Sequence, residues 1–137
     1  MKYLLFLIFF FYSFSTYSLN DNFFLTGKKH YEEKKFDKAK MEFEKSITFN
    51  PKFVDSYVYL AKIFLQIKNL DEEKKNLQTA LMLDPKNEEA LYLIVQLFIK
   101  ESDFKNAEKN YHILSSVCSK LCNKLPFLKT SIGNFKG

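Results

Sequence analysis

The sequence predicts an all-α protein in which pairs of helices stack into a solenoid, and three observations support this prediction. The chain repeats every 34 residues, so that Asn50-Pro51 returns as Asp84-Pro85 in similar apolar surroundings. Apolar residues within each segment recur at the spacing of about 3.6 residues that marks an amphipathic helix. The 137 residues include only 3 Gly and 3 Pro, which disfavours a turn-rich β fold. Such a period is typical of helix–turn–helix units that bury a shared core by stacking on their neighbours.

Length and charge narrow the classes of function. At 137 residues the chain holds one domain, and a content of 47% hydrophobic residues is sufficient for a packed core. The net charge is +5, but lysines alternate with acids, as in residues 72–75, which is typical of a solvated helix face. Nucleic-acid readers more often carry a one-sided basic stripe that includes arginine, and this chain has no arginine. We therefore predict no nucleic-acid partner, and the oligomeric state is left open.

The first element is an N-terminal export segment over residues 1–18. Lys2 precedes a short apolar stretch, and small polar residues follow that stretch. One positive charge, a short apolar run and a small-residue exit are typical of a secretory signal peptide. Cleavage after Ser18, or after Ser15, would release the rest of the chain, whereas retention would leave residues 3–18 as a membrane anchor. In both cases we expect an exported protein of the bacterial periplasm or cell envelope. The remaining alternative is a buried N-terminal helix.

Six helices follow, and they pair into three hairpins over residues 20–119. The hairpins divide this segment into repeats at residues 20–52, 53–86 and 87–119. In each helix the apolar residues fall on one face, as Tyr57, Ala61 and Phe64 do in the third helix. The predicted helices cover residues 22–34, 36–49, 53–67, 70–83, 87–101 and 103–118.

Local signals support the boundaries of these helices. A residue that precedes proline is biased out of the helical region, so helices should end near Asn50 and Asp84. Asn69 is a suitable N-cap for the helix that follows it, and Glu72 stands where the capping-box partner would be. Each predicted helix end therefore coincides with a residue that favours it.

The C-terminal end of the repeats is less regular. Ser102 or Asp103 can cap the last long helix. Residues 120–137 remain as a C-terminal segment, because terminal repeats of a solenoid need a cover over their exposed core. We expect a stretch around residues 121–128 to cover the last hairpin and residues 133–137 to be frayed.

The chain resembles the tetratricopeptide repeat family over about residues 20–119, in three copies that keep the same phase. That family places small residues where two helices approach closely, aromatic residues between them and a proline near the end of each repeat. The resemblance implies a right-handed α-solenoid whose first helices line a concave groove. The matching residues are Gly27, Phe36, Ala39, Phe43, Ser46 and Pro51 in the first repeat, Tyr57, Leu60, Ala61, Phe64, Ala80 and Pro85 in the second, and Leu91, Phe98, Phe104, Ala107 and Tyr111 in the third.

Two positions depart from the family pattern of small residues. Glu73 stands where a small residue would face Ala61, and Val95 stands at a small position of the third repeat. Because an unpaired buried carboxylate is costly, we expect either that Glu73 reaches solvent or that the second hairpin is splayed. In the first repeat, Gly27 opposite Ala39 should let the two helices touch backbone to backbone.

The resemblance also implies a binding surface on the inner side of the solenoid. The period places Lys28, Lys62 and Gln96 in one row across adjacent first helices, between two more apolar rows. Both lysines are expected to be solvent-accessible, and the row could hold an acidic group of an extended or helical peptide. The alternative is that the apolar members pack against neighbouring helices. The candidate groove residues are Phe24, Lys28, Tyr31, Val58, Lys62, Leu65, Tyr92, Gln96 and Ile99. The asparagines that capture a C-terminal carboxylate in some family members are missing, so we do not predict that mode.

Signals for catalysis are weak. Neither of the 2 histidines has a cysteine or carboxylate at a spacing typical of metal sites. His30 is expected to be packed and His112 to be solvated. With glycine only at positions 27, 133 and 137, the chain has no glycine-rich phosphate-binding loop. We predict no catalytic residue, no metal and no cofactor, and therefore no enzyme.

The two cysteines, Cys118 and Cys122, lie four residues apart near the end of the last hairpin. Inside one regular helix this spacing suits a disulfide poorly, but a turn between the cysteines would allow one. Export would permit their oxidation. The alternative is a pair of small buried thiols, and the sequence leaves both open.

The predicted function is a non-catalytic scaffold of the cell envelope that binds a protein or peptide partner in its concave groove. The alternative is a membrane-anchored structural subunit of a larger envelope complex, in which the N-terminal segment stays in the bilayer. A membrane is expected as a partner only in that second case. This step from fold to function is an analogy with the family.

Overall fold

A computed structural model describes residues 22–134, and all regular structure in this range is helical. The predicted export segment at residues 1–18 lies outside this range. The helices are α1 (residues 22–32), α2 (Phe36–Phe49), α3 (Val54–Gln66), α4 (Leu70–Leu83), α5 (Glu88–Lys100), α6 (Phe104–Val117) and α7 (Leu125–Asn134), with a 3-10 turn at Cys122–Lys124 before α7.

Helices α1 to α6 form three stacked pairs in chain order, and α7 lies against the last pair. The predicted all-α, right-handed solenoid is confirmed. Helices α2 to α6 begin and end within two residues of their predicted bounds, because caps and prolines mark most of these ends.

The turn inside each helix pair has the same geometry in all three pairs. Lys34, Lys68 and Ser102 have positive φ angles of 57°, 59° and 60°. The N–H that follows each of them donates to a carbonyl five residues earlier, at 2.8 to 2.9 Å. This is a Schellman motif, which satisfies the last carbonyls of a helix. The three positive-φ residues are 34 positions apart, so the backbone keeps the repeat even where the side chains do not.

Polar side chains cap the second and third helix pairs. Asn69 accepts a hydrogen bond from the N–H of Glu72 at 3.2 Å, as predicted. Asp103, not Ser102, caps α6 and accepts from the N–H of Asn106 at 3.2 Å. Asn87 caps α5 in the same way. These bonds satisfy N–H groups that have no partner within the helix.

A close contact between α1 and α2 depends on Gly27. A Cβ added at Gly27 would lie 2.7 Å from Cε1 of Phe43, whose side chain is fully buried. The ring of Phe43, rather than Ala39, therefore fills the space that a side chain at position 27 would need. Phe43 belongs to a core cluster with Ala39, Leu60 and Ile63 that joins α2 to α3.

Both expectations for Glu73 were wrong. Its side chain is 3% exposed and lies between the helices, so it does not extend outward into solvent. The second hairpin is not splayed either, because Ala61, Leu77 and Ala80 are all buried in one cluster between α3 and α4. Burial raises the pKa of Glu73, and the nearby Lys100 opposes this effect. The helix pair closes around the carboxyl group because the apolar contacts on either side of it form despite the cost of burying it.

The last repeat ends in a disulfide loop instead of a proline turn. Cys118 takes the place of Asn50 and Asp84 in the 34-residue phase, and a disulfide joins it to Cys122 with the Cα atoms 5.3 Å apart. The carboxylate of Glu88 accepts hydrogen bonds from the N–H groups of residues 119–121 in this loop. These bonds, led by that from Leu121, lower the pKa of Glu88. The start of α5 is thereby tied to the end of α6.

Helix α7 covers the exposed side of the last helix pair. Leu128 and Ile132 are buried in the same core cluster as Leu114 of α6. The prediction of a cover near residues 121–128 thus found the right region but ended too early. Residues 133 and 134 were expected to be frayed, but they belong to α7. Burial of Ile132 keeps the helix regular up to that point, and residues 135–137 lie outside the described range.

Candidate peptide-binding groove

Helices α1, α3 and α5 carry the predicted groove residues and lie side by side, since Tyr59 of α3 contacts Tyr31 of α1 and Lys62 of α3 pairs with Glu89 of α5. We call the surface that these three helices share the inner face. Val58 is only 2% exposed and lies in the larger core cluster with residues of α5, so its assignment to the groove was wrong. Val58 faces the next repeat because each helix pair is rotated relative to the one before it. The other predicted residues are all half-buried: Phe24, Lys28, Tyr31, Lys62, Leu65, Tyr92, Gln96 and Ile99.

Tyr59, which the sequence interpretation missed, is the centre of the first part of this face. Its ring centroid lies 5.6 Å from that of Phe24, 5.4 Å from that of Tyr31 and 5.0 Å from that of Phe43. Phe24 also meets the edge of Phe53 at 4.9 Å. Phe24 and Tyr31 therefore pack on neighbouring helices, as the alternative interpretation had it. Together these packed rings form the floor of the groove, and their side chains are not free to reorient toward a ligand.

The two lysines of the central row lie close to this aromatic floor. The Nζ atoms of Lys28 and Lys62 lie 5.9 Å and 4.4 Å from the ring centroid of Tyr59. Both distances are within the range of a cation–π interaction. Lys62 also forms an ion pair with Glu89 of α5, and its side chain is 19% exposed. Both lysines were expected to be solvent-accessible, and Lys62 is less accessible than expected because it is half-buried and paired.

The acid Glu89 sets the electrostatics of this part of the groove. Burial raises the pKa of both Tyr31 and Tyr59, and the negative charge of Glu89 raises each of them further. Both phenols therefore keep their protons at neutral pH and can donate hydrogen bonds. The groove carries charges of both signs: Lys62 is paired with Glu89, and Lys28 lies over the rings of Phe24 and Tyr59.

A small pocket opens in the second part of the inner face. Its volume is about 160 Å³, and its lining residues are Leu65, Glu73, Gln96, Leu97 and Lys100. The lining joins α3, α4 and α5 and includes Leu65 and Gln96, two of the predicted groove residues. We call this space the Glu73 pocket. Beside it, the amide of Gln96 donates to the hydroxyl of Tyr92 at 3.1 Å, which orients both side chains.

The sequence carried little signal for the residues that were missed. Tyr59 aligns with Leu25 and Leu93 in the other repeats, so the period gives no sign of an aromatic centre. The only sign of Glu73 in the sequence is that it occupies a position where the repeat pattern expects a small residue. A polar residue at a position that should be buried is the signal that could have marked a site.

The cysteines and histidines do not form a metal site in the described chain. Ligand atoms of Glu88, Cys118 and Cys122 lie within 4.8 Å of one another, but sulfurs joined in a disulfide offer no thiolate to a metal. His30 is half-buried, and its Nδ1 lies 3.8 Å from the carboxylate of Glu33. His112 is exposed, as predicted.

The stacked helix pairs have the same fold as solved tetratricopeptide-repeat domains. Residues 54–87, which span α3, α4 and the turn before α5, match the family described as Tetratricopeptide repeat. A comparison with curated proteins gives no match. Between residues 22 and 134, no helix is both long and apolar enough to cross a membrane.

Solved structures share the fold at low sequence identity. The TPR2B domain in the yeast Sti1 complex with pHsp70 is 13% identical, with a TM-score of 0.79, over 85% of this chain and 98% of that chain. The Yersinia enterocolitica type III secretion chaperone SycD, in complex with a peptide of the translocator YopD, is 9% identical, with a TM-score of 0.75, over 85% and 91%. The second TPR domain of human RPAP3, in complex with the HSP70 peptide SGPTIEEVD, is 16% identical, with a TM-score of 0.70, over 86% and 98%.

Proposed function

We propose that the chain is a non-catalytic scaffold of the cell envelope that binds a protein or peptide segment along its inner face. The observation that carries this proposal is the continuous line of half-buried side chains across α1, α3 and α5, from Lys28 through Lys62 to Gln96. These side chains are held in place by packing, and part of the surface of each remains exposed. Preorganised side chains of this kind lose little entropy on binding.

The fold supports the same proposal. Several solved structures with this fold were determined with a peptide or protein partner, among them the Sti1, SycD and RPAP3 domains. Location in the envelope is supported by the export pattern at residues 1–18 and is compatible with a disulfide between Cys118 and Cys122.

The charges of the inner face determine how a partner would bind. Lys28 forms no ion pair with any residue of the described range, so an acidic group of the partner can approach it directly. Lys62 is paired with Glu89, and an acid that reaches Lys62 must compete with that pair. We therefore expect Lys28 to be the main electrostatic contact, with the rings of Phe24 and Tyr59 beneath it.

Photo-crosslinking in intact cells tests this proposal. A photoreactive phenylalanine analogue at Gln96 should give a covalent adduct of one defined mass in the envelope fraction. The same analogue at Met82, a 74% exposed residue of α4 off the inner face, should not. Lys28→Glu should reduce the adduct several-fold, whereas Lys109→Glu, at an exposed position of α6, makes the same change in net charge and should leave it unaltered. Adduct formation from Met82 alone, or equal loss in both lysine variants, would contradict the proposal.

A further inference from the structure

The Glu73 pocket contains a buried acid whose Oε2 atom has no hydrogen-bond partner in the described chain. The side chain of Glu73 is 3% exposed, and no donor between residues 22 and 134 reaches its Oε2 atom. Buried polar groups normally have a hydrogen-bond partner, and each exception calls for an explanation. Glu73 lines a cavity of about 160 Å³ between α3, α4 and α5, next to the predicted groove residues Leu65 and Gln96, so a group of a partner has room to enter.

The nearby lysines do not fill this role in the structure. Lys74 pairs with Glu101 at 2.7 Å, and Lys75 pairs with Glu72 at 3.2 Å. Lys100 is an exposed residue that lines the pocket, and its charge favours the ionised form of Glu73 without bonding to Oε2. The charge of Glu101 acts in the opposite direction. The carboxyl group of Glu73 therefore stays available to a donor that comes from outside.

The other walls of the pocket define the chemistry of that donor. Leu65 and Leu97 provide an apolar lining, and the amide of Gln96 lies at the side. A group that matches these walls has an aliphatic stem and a cationic or hydrogen-bonding tip. Long cationic side chains bury their methylene groups along apolar surface and place the charged head at a polar group. A lysine side chain has this shape, and its ammonium group is a compact point charge with three donors.

We propose that the Glu73 pocket is a specificity subsite of the groove that receives a lysine side chain of the bound peptide, with its ammonium group donating to the carboxylate of Glu73. This inference rests on the proposed function, since the peptide would place its lysine in the pocket. The subsite complements Lys28, which would hold an acidic group of the same segment. A partner segment would then carry an acidic residue toward the first repeat and a lysine toward the third.

The test uses n-butylammonium, which reproduces the lysine side chain, and 1-butanol as a neutral molecule of the same length. The full chain is titrated with each probe while the carboxyl carbon of Glu73 and the amides of Leu65 and Leu97 are followed by NMR. Butylammonium should cause saturable shifts at these positions and lower the pKa of Glu73 from its raised value. Its affinity should be roughly tenfold lower for Glu73→Gln, because a charge-assisted hydrogen bond is lost. Glu72→Gln, one residue away on α4 and outside the pocket, is the matched control.

Two further outcomes decide the proposal. Lys100→Ala should tighten binding of butylammonium, because it removes a positive charge from the pocket lining. If Glu73→Gln fails to fold, the test rests on the unmodified chain. The pKa of Glu73 is then compared with and without butylammonium. Equal binding of 1-butanol, unchanged binding in Glu73→Gln or an unchanged pKa would each overturn the proposal. Since no partner is needed, a negative result together with a persistent adduct at Gln96 would reject the subsite and leave the groove standing.

Discussion

At the scale of single residues, Glu73 couples the stability of the protein to pH. Burial raises the pKa of Glu73 above its ordinary value of 4.5, so the folded chain binds this proton more tightly than the unfolded chain does. The contribution of Glu73 to stability is therefore fully present below that value and is lost as the pH rises through the raised pKa. One proton limits the slope of this loss to about 1.4 kcal/mol per pH unit.

Urea unfolding at a series of pH values can isolate this effect. We expect the free energy of unfolding of Glu73→Gln, relative to the unmodified chain, to increase as the pH rises above about 4.5 and then to become constant. Glu33, Glu88 and Asp103 have lowered pKa values and act in the opposite sense, but they are common to both proteins and cancel in the difference. A difference that does not change with pH would show that Glu73 is ionised as easily in the folded chain as in the unfolded chain.

The two described glycines offer a matched test of packing. Gly27→Ala should destabilise the protein by about 1–3 kcal/mol, because the new methyl group would overlap the fixed ring of Phe43. Gly133→Ala in α7 meets nothing within 4 Å and should be neutral or stabilising by up to about 1 kcal/mol, since alanine favours the helix. Thermal or urea unfolding of the two variants provides the comparison. Equal effects would mean that Phe43 moves aside without cost.

At the scale of the helices and turns, the three Schellman motifs place ordinary residues in a conformation that glycine prefers. Lys68 has a φ of 59° in the turn between α3 and α4. A residue with a Cβ pays a steric cost of roughly 1–2 kcal/mol there, partly offset by the higher chain entropy of glycine. We expect Lys68→Gly to raise the free energy of unfolding by about 0.5–1 kcal/mol.

The control is Lys86→Gly, in the turn between α4 and α5. Lys86 is also an exposed lysine, but its φ is not positive. Glycine at this position should destabilise the protein by roughly 0.5–1 kcal/mol, because it only adds freedom to the unfolded chain. Urea unfolding that shows an increased free energy of unfolding for Lys68→Gly and a decreased one for Lys86→Gly would support the turn geometry. A decrease in both variants would contradict it.

Helix α7 shows how an element can be placed by contacts that are distant in sequence. Its buried face, Leu128 and Ile132, joins the core beneath α6. Glu88, about 30 residues earlier in the chain, holds the loop that leads to α7 through the N–H groups of residues 119–121. The sequence did not show which side of α7 is apolar, because no further repeat follows with which its helical phase could be compared.

At the scale of the whole molecule, charged pairs link the repeats. Lys62 of α3 pairs with Glu89 of α5, and Lys74 of α4 pairs with Glu101 at the end of α5. These pairs neutralise some of the lysines of the chain and leave others, such as Lys28, unpaired within the described range. Exposed pairs of this kind contribute little to stability, so their main effect is on which charges remain for a partner.

The sequence by itself determined the class of fold, the three repeats and most helix ends. Period, cap residues and X-Pro steps are local signals, and they act on the backbone before any tertiary contact forms. The sequence also placed Lys28, Leu65 and Gln96 on the first helices of their repeats, and all three are half-buried there. Each of these lies on a first helix, at a position whose orientation follows from helical geometry alone.

Only the tertiary structure decided which side chains of that face are free. Val58 is covered by the next repeat, Lys62 is neutralised by Glu89, and Tyr59 lies beneath two lysines from different helices. Glu73 is buried because the packing on either side of it outweighs the cost of one carboxyl group. Exposure and pairing depend on what the adjacent helices place opposite a residue, and a repeat period fixes the spacing of helices but not the chemistry of their contacts.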